Sequence, residues 1–189
     1  VLWAALIERW QGLHDPGLLG PDPIEEQRRA RLSTLPVSEA LEPEAPLVLD
    51  AATPADVAMT QLVEAHGHCL LVVDGPWVIG LVTLGDLQRG LNRLGSSEAG
   101  STVPTVQDCL RADLVWLPSS ANLGQLEDQL TPNGLRQLPV FDVPETSAAA
   151  LPQGLPLSGL PAAAICGLAS RDGKARALAR QLFSQAGRS

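Results

Sequence analysis

Cys69–Leu87 reads CLLVVDGPWVIGLVTLGDL. Two apolar runs, Cys69–Val73 and Trp77–Val82, are parted by Asp74, Gly75 and Pro76. Leucine and β-branched residues fill both runs, the composition of strands buried on both faces, so the stretch predicts two strands joined by a turn. A helix start comes next. Thr83 stands where an N-cap belongs, and Asp86 comes three residues later in the first turn. Free backbone N–H groups gather at such a place, beside a hydroxyl and a carboxylate. The corner has two readings: a capping box with Asp in place of Glu, or a site for a phosphate, with the carboxylate turned to a ribose.

The whole chain has 189 residues, enough for one compact domain or two small repeats. Hydrophobic residues make up 45%, and with four Trp, two Phe and no Tyr the core must be aliphatic. A net charge of −8 argues against a nucleic-acid partner held by phosphate neutralisation, and against a polybasic membrane surface. Cys69, Cys109 and Cys166 are odd in number and lack metal-ligand spacing, and two lie in apolar runs. They are expected to be buried free thiols in a reducing compartment. No signal peptide is evident, and no apolar run has the length of a membrane-spanning helix. The chain starts at Val1 rather than Met, which fits a piece cut from something longer and equally an artificial chain boundary.

Outward from the opening stretch, the chain says the same thing twice. The first copy begins at Val37–Leu41, a short helical turn, and continues through a strand at Leu47–Leu49. Thr53 and Pro54 are placed as N-cap and first residue of a helix whose apolar face carries Val57, Met59, Leu62 and Val63. The hairpin and a helix over Leu87–Leu94 complete it. The second copy begins at Val106–Leu110, has a strand at Leu114–Leu117, and opens a helix at Ser119–Asn122. Leu138–Asp142 matches Leu70–Asp74, Ile165–Ser170 matches Val78–Thr83, and a last helix runs Lys174–Phe183. Each copy is β-α-β-β-α. Neither buries its sheet alone, so the copies should pack about a pseudo-twofold axis.

The chain divides accordingly: 1–35 an N-terminal helix and linker, 36–95 repeat one, 96–105 a linker, 106–183 repeat two, 184–189 a tail. Val1–Leu13 is an amphipathic helix with Leu2, Trp3, Leu6, Ile7 and Trp10 on one face. It serves either a partner or membrane interface, or an arm docked on its own domain. Ile24–Leu35 reads as a charged helix with Glu25, Glu26, Arg28, Arg29 and Arg31 on a solvated face. Residues 143–164, rich in Pro, Ala, Gly and Leu, sit where the first copy has only Gly75 and Pro76, and are expected to form a mobile surface loop.

The duplicated unit, with Gly80-x-x-Thr83-x-x-Asp86 and the Pro-Val strand Leu138–Asp142, resembles a pair of CBS domains, a Bateman module, over about Pro36–Phe183. The resemblance implies an α/β (α+β) fold of two tandem repeats that regulates rather than catalyses. No Ser-His-Asp or Cys-His set appears, so no catalytic residue is assigned. It further implies an AMP, ADP or ATP ligand in the cleft between repeats, with no cofactor required, the hydroxyl near phosphate and the Asp on the ribose. The segment from Leu2 to Leu41 is similar to the stretch after the last membrane helix of CLC-type chloride channels and transporters. That likeness implies a homodimeric cytosolic tail beneath the membrane domain of the same chain. Site-2-type intramembrane proteases and other ion transporters carry such pairs too.

The corners are unequally equipped. Thr83 and Asp86 keep the motif. The second copy has Ser170 in the Thr position and Gly173 in the Asp position, with Asp172 one residue early and rotated by about 100° on the helix. Arg171 or Lys174 is left to reach a phosphate there. By the family pattern, Arg136 and Gln137 face Thr83 and Asp86, with Arg136 either a phosphate contact or a local ion pair. His66 and His68 face the Ser170–Asp172 corner, as ligand contacts or as helix-end residues. Trp77 and Trp116 are candidates for adenine stacking or for the core.

Overall fold

A computed structural model describes residues 22–95, 103–110, 115–132, 134–143 and 160–186. The helix expected over Val1–Leu13, most of the Gly/Ser linker and the middle of the insertion lie outside the described residues.

Helix α1 (Pro23–Thr34) starts because Asp22 caps it, its carboxylate accepting from the Ile24 N–H at 2.9 Å with Pro23 in the first turn. A 3-10 turn, Val37–Ala40, leads into repeat one. That repeat is β1 (Leu47–Asp50), α2 (Ala55–Glu64), β2 (Cys69–Asp74), β3 (Trp77–Thr83) and α3 (Leu84–Gly95). A second 3-10 turn, Gln107–Cys109, leads into β4 (Leu117–Pro118), α4 (Leu123–Leu130), β5 (Gln137–Phe141), β6 (Leu160–Pro161), β7 (Ile165–Ser170) and α5 (Arg171–Ala186). Both final helices begin directly after their strand: α3 at Leu84, where Thr83 as N-cap puts it, and α5 at Arg171, three residues before the expected Lys174.

Two sheets result, ordered β1-β2-β3-β6 and β4-β5-β7. In each, the first strand runs parallel to the second and the second pairs antiparallel with the third. Cys69 lies opposite Thr83, and Gln137 opposite Ser170. Both pairings slip at the same place, between Val72 and Val73 and between Val140 and Phe141. A shared bulge is strong evidence that the two units are copies. In the first hairpin the two-residue loop needs a positive φ, and Gly75 supplies it at 56° before Pro76.

Successive residues of β2 point to opposite faces. Leu70 and Val72, with Val82 of β3, pack with Ala58 and Leu62 of α2 and Leu87 of α3. Cys69 and Leu71, with Val78 and Leu81 of β3, meet Phe141 and Leu168 of the other sheet. The strands are therefore buried on both faces, between their helices and the second repeat. Trp116 joins this shared core, edge-on to Phe141 with ring centroids 5.8 Å apart.

The lead-in turns are exchanged. Val37 and Ala40, which precede repeat one, pack with Leu123, Leu126, Ala169 and Ala177 of repeat two. Val106 and Cys109, which precede repeat two, pack with α2, β2 and α3 of repeat one. Pro36 bridges to Asn122, Leu41 to Ala169, and Pro54 to Thr105.

Several expectations are corrected. Thr53 does not cap α2: Pro54 holds the cap position with no side-chain bond, and the Pro54 carbonyl accepts the Ala58 N–H at 3.0 Å. The buried face of α2 is Ala55, Ala58 and Leu62, with Met59 partly buried, whereas Val57 and Val63 are exposed. Small alanines bring α2 close to the sheet and rotate the valines outward. Helix α1 is not wholly solvated: Leu32 is buried, and Arg28 reaches Glu127 of α4 at 2.7 Å as well as Glu25 at 3.0 Å. The end of the insertion is ordered, since Leu160 and Pro161 add to the edge of β3 opposite Val78 and Trp77. Trp77 is thereby held at the sheet edge. Cys166 is exposed rather than buried.

Helix α2 ends in a Schellman motif. The Gly67 N–H bonds to the Leu62 carbonyl and the His66 N–H to the Val63 carbonyl, both at 3.0 Å. The left-handed position is filled by His66, at φ 53°, where glycine is usual. His66→Gly should therefore raise stability by about 0.5–1 kcal/mol, a melting rise of about 1–4 °C. A lower melting temperature would mean that the imidazole contact to the Val63 carbonyl, at 3.1 Å, outweighs the backbone strain.

Candidate functional site

Cys69 and Gln137 open the matching strands β2 and β5, and they touch. The Cys69 thiol donates to Gln137 Oε1 at 3.3 Å. Burial pushes that thiol up to about 12, so it stays a neutral donor. Both residues border two cavities, one for each corner of the cleft.

Corner one is a cavity of about 330 Å³. It is lined by Thr83, Leu84 and Gly85 at the start of α3, by Leu81 and His68, and by Gly134, Leu135, Arg136 and Gln137 from the other repeat. Thr83, Arg136 and Gln137 thus come together across the cleft. No carboxylate among the described residues lines the cavity. Among the described residues the Arg136 guanidinium has no hydrogen-bond or ion-pair partner. A lone guanidinium beside the N-terminus of a helix favours an anion.

Asp86 is not on the wall of this cavity. It is 4% exposed and forms the capping box. Its Oδ2 accepts from the Thr83 N–H at 3.0 Å and from the Thr83 hydroxyl, whose oxygen in turn accepts the Asp86 N–H at 3.3 Å. Its Oδ1 is ion-paired with Arg89. Sequence reasoning missed Arg89, although its i,i+3 spacing from Asp86 was a legible signal. The Arg89 guanidinium lies 3.7 Å from where a Cβ on Gly85 would sit, beside the cavity.

Corner two is smaller, about 210 Å³, and acidic. Glu42, Glu44 and Asp172 line it with Arg176, and His66 and His68 do face it. Ser170 is 3% exposed and caps α5, accepting the Gly173 N–H at 2.8 Å and donating to Glu42. Arg171 and Lys174 are turned elsewhere. Arg171 donates to the Leu130 carbonyl at 3.1 Å, and Lys174 pairs with Glu127 at 2.7 Å. Neither reaches a phosphate here, because the C-terminus of α4 and Glu127 draw them away. Trp77 and Trp116 line neither cavity.

Among the described residues no group of three His, Cys, Asp or Glu side chains is placed to hold a metal ion. No helix of the described residues is long and apolar enough to cross a membrane.

A family model described as the CBS domain matches residues 37–93. No curated protein matches the sequence. Among solved structures, CBSX2 in complex with AMP is 23% identical with a TM-score of 0.57, over 77% of this chain and 97% of that one. The CBS domain pair of protein MJ0100 in complex with 5′-methylthioadenosine and S-adenosyl-L-methionine is 12% identical with a TM-score of 0.53, over 77% and 97%. The CBS domain of the bacterial CNNM/CorC family Mg2+ transporter is 14% identical with a TM-score of 0.55, over 92% and 93%. At such identities the likeness is one of fold.

Proposed function

We propose that this chain, which carries a CBS domain at residues 37–93 and folds as a CBS domain pair, is the regulatory module of a membrane transporter and senses an adenine nucleotide at corner one. One observation carries the ligand: an Arg136 guanidinium unpaired among the described residues, on a cavity of about 330 Å³ with no carboxylate in its described lining. The phosphate accepts from Arg136 and from the Gly85 N–H, while the Thr83 hydroxyl keeps its hydrogen bond to Asp86. Leu81, Leu84 and Leu135 supply apolar walls for the base, and the Gln137 amide a polar edge. Asp86 takes the ribose hydroxyls only by exchanging a present partner. Arg89, whose side chain is 63% exposed, is the partner free to leave. That solved relatives hold AMP, or 5′-methylthioadenosine and S-adenosyl-L-methionine, supports an adenosine-bearing ligand.

The finer reading is the cytosolic tail of a CLC-type chloride transporter, acting as a homodimer. It rests on the sequence from Leu2 to Leu41, and the exposed Val57 and Val63 of α2 give a second copy an apolar face. The tail of another ion transporter is the second reading, favoured by the likeness to the CNNM/CorC domain.

Calorimetry with AMP, ADP and ATP tests the ligand. Saturable heat is expected, and Arg136→Ala should weaken affinity about tenfold or more, the loss of about one charge-assisted contact. No heat and no thermal shift at millimolar nucleotide would sink the proposal.

A further inference from the structure

Repeat two lacks the capping carboxylate that Asp86 provides at the start of α3 in repeat one. Gly173 holds the matching position, and a Cβ there would lie 2.0 Å from the Ala40 carbonyl oxygen. The lead-in turn fills that space. It also brings a carboxylate of its own. Glu42 accepts from the Ser170 hydroxyl with one oxygen and from Arg176 with the other, at 3.0 Å. Its N–H bonds to the Leu168 carbonyl at 2.8 Å, which fixes the backbone beneath the side chain. In corner one Thr83 donates to Asp86 three residues away; in corner two Ser170 donates to a residue 128 positions away.

We infer that Glu42 is an internal ligand of corner two, a latch that ties the lead-in strap to α5 and yields to a competing small anion. Ser170 Oγ–H and Arg176 act as donors here, so the group they hold must be an acceptor with negative charge, a carboxylate or a phosphate. Glu42 is 23% exposed, sheltered enough to hold its bonds and open enough to be displaced. Asp172 and Glu44 are exposed at the rim, where water and salt screen their repulsion. Arg180, on Glu39 at 3.1 Å, fastens the same strap one turn further along α5. Because Glu42 lies on the strap that continues directly from α1, an anion at Ser170 and the Glu42 carboxylate exclude one another. Occupancy of this corner is thereby coupled to the segment that precedes the repeats. The latch holds whichever ligand corner one takes.

Chemical rescue tests it. Glu42→Ala should melt below the wild type. Tens of millimolar sodium acetate or inorganic phosphate, against sodium chloride of equal ionic strength, should restore much of the loss in Glu42→Ala and leave the wild type unmoved. Adding Ser170→Ala should abolish the rescue. Neither salt outperforming chloride on Glu42→Ala, or a rescue that persists without Ser170, would overturn the latch. Should Glu42→Ala fail to fold, Glu42→Gln keeps an acceptor for Ser170 but loses the charge on Arg176. Hydrogen exchange over 36–46 must then quicken while β2 and β5 stay protected. Unchanged exchange in the strap refutes the proposal.

Discussion

Gly173→Ala should destabilise the fold by about 3 kcal/mol or more, at the upper end of what overpacking costs. The added Cβ would stand 2.0 Å from the Ala40 carbonyl oxygen, 2.7 Å from its carbon and 3.0 Å from the Ala40 Cα. All three are backbone atoms, so no side chain can turn away. Either α5 slides along its sheet or the lead-in leaves α5, and each exposes residues of the core that holds Val37, Ala40, Leu126 and Ala177. Gly173→Asp, which would restore the Thr-x-x-Asp spacing in the second repeat, should do the same or worse. A fall in melting temperature of about 6–12 °C is expected, with a lower urea midpoint. A midpoint equal to the wild type would mean that α5 and the lead-in turn are not in contact.

Glu127→Ala comes next, at about 2–3 kcal/mol. Glu127 is 17% exposed and accepts from Arg28 of α1 at 2.7 and 2.8 Å and from Lys174 of α5 at 2.7 Å. Truncation leaves a partly buried lysine without its partner and releases α1, the situation in which a sheltered ion pair is costly to break. The same group gives the fold an acid limit. Burial pushes the Glu127 carboxyl up, but the hydrogen bonds from Arg28 and Lys174 outweigh it and hold the carboxyl below its ordinary value. Its stabilisation is complete above the unfolded value of about 4.3 and drains away as pH falls through the lower, folded value. Urea midpoints between about pH 5 and pH 2 should therefore fall more steeply for the wild type than for Glu127→Gln. Parallel curves would remove Glu127 from the acid transition.

How much of this was legible in the sequence differs from feature to feature. Cys69–Leu87 revealed its hairpin because apolar runs, Gly75 and Pro76 act within a few residues. The match of Leu138–Asp142 and Ile165–Ser170 to the first copy gave the second sheet, and the two hairpins share even their bulge. Thr83, Arg136 and Gln137 were legible as a set and line one cavity. Asp86 belonged to that set, and its local chemistry, the capping box, was one of its two readings. What failed were judgements about long-range neighbours. Val57 and Val63 looked like core by spacing, but Ala55 and Ala58 set which side of α2 can approach the sheet. Arg171 and Lys174 looked like phosphate contacts by position, but α4 supplies nearer acceptors.

By itself, the sequence determined the repeat, the hairpins, the main apolar runs, and the inequality of the two corners, because each depends on residues close together in the chain. Only the tertiary structure decided that the lead-in of each repeat packs on the other, that Arg28 docks α1 through Glu127 across 99 positions, and that Glu42 takes the carboxylate place left by Gly173, reaching Ser170 across 128. Those outcomes depend on which surfaces meet once two half-buried sheets close on one another, and no local pattern encodes that meeting.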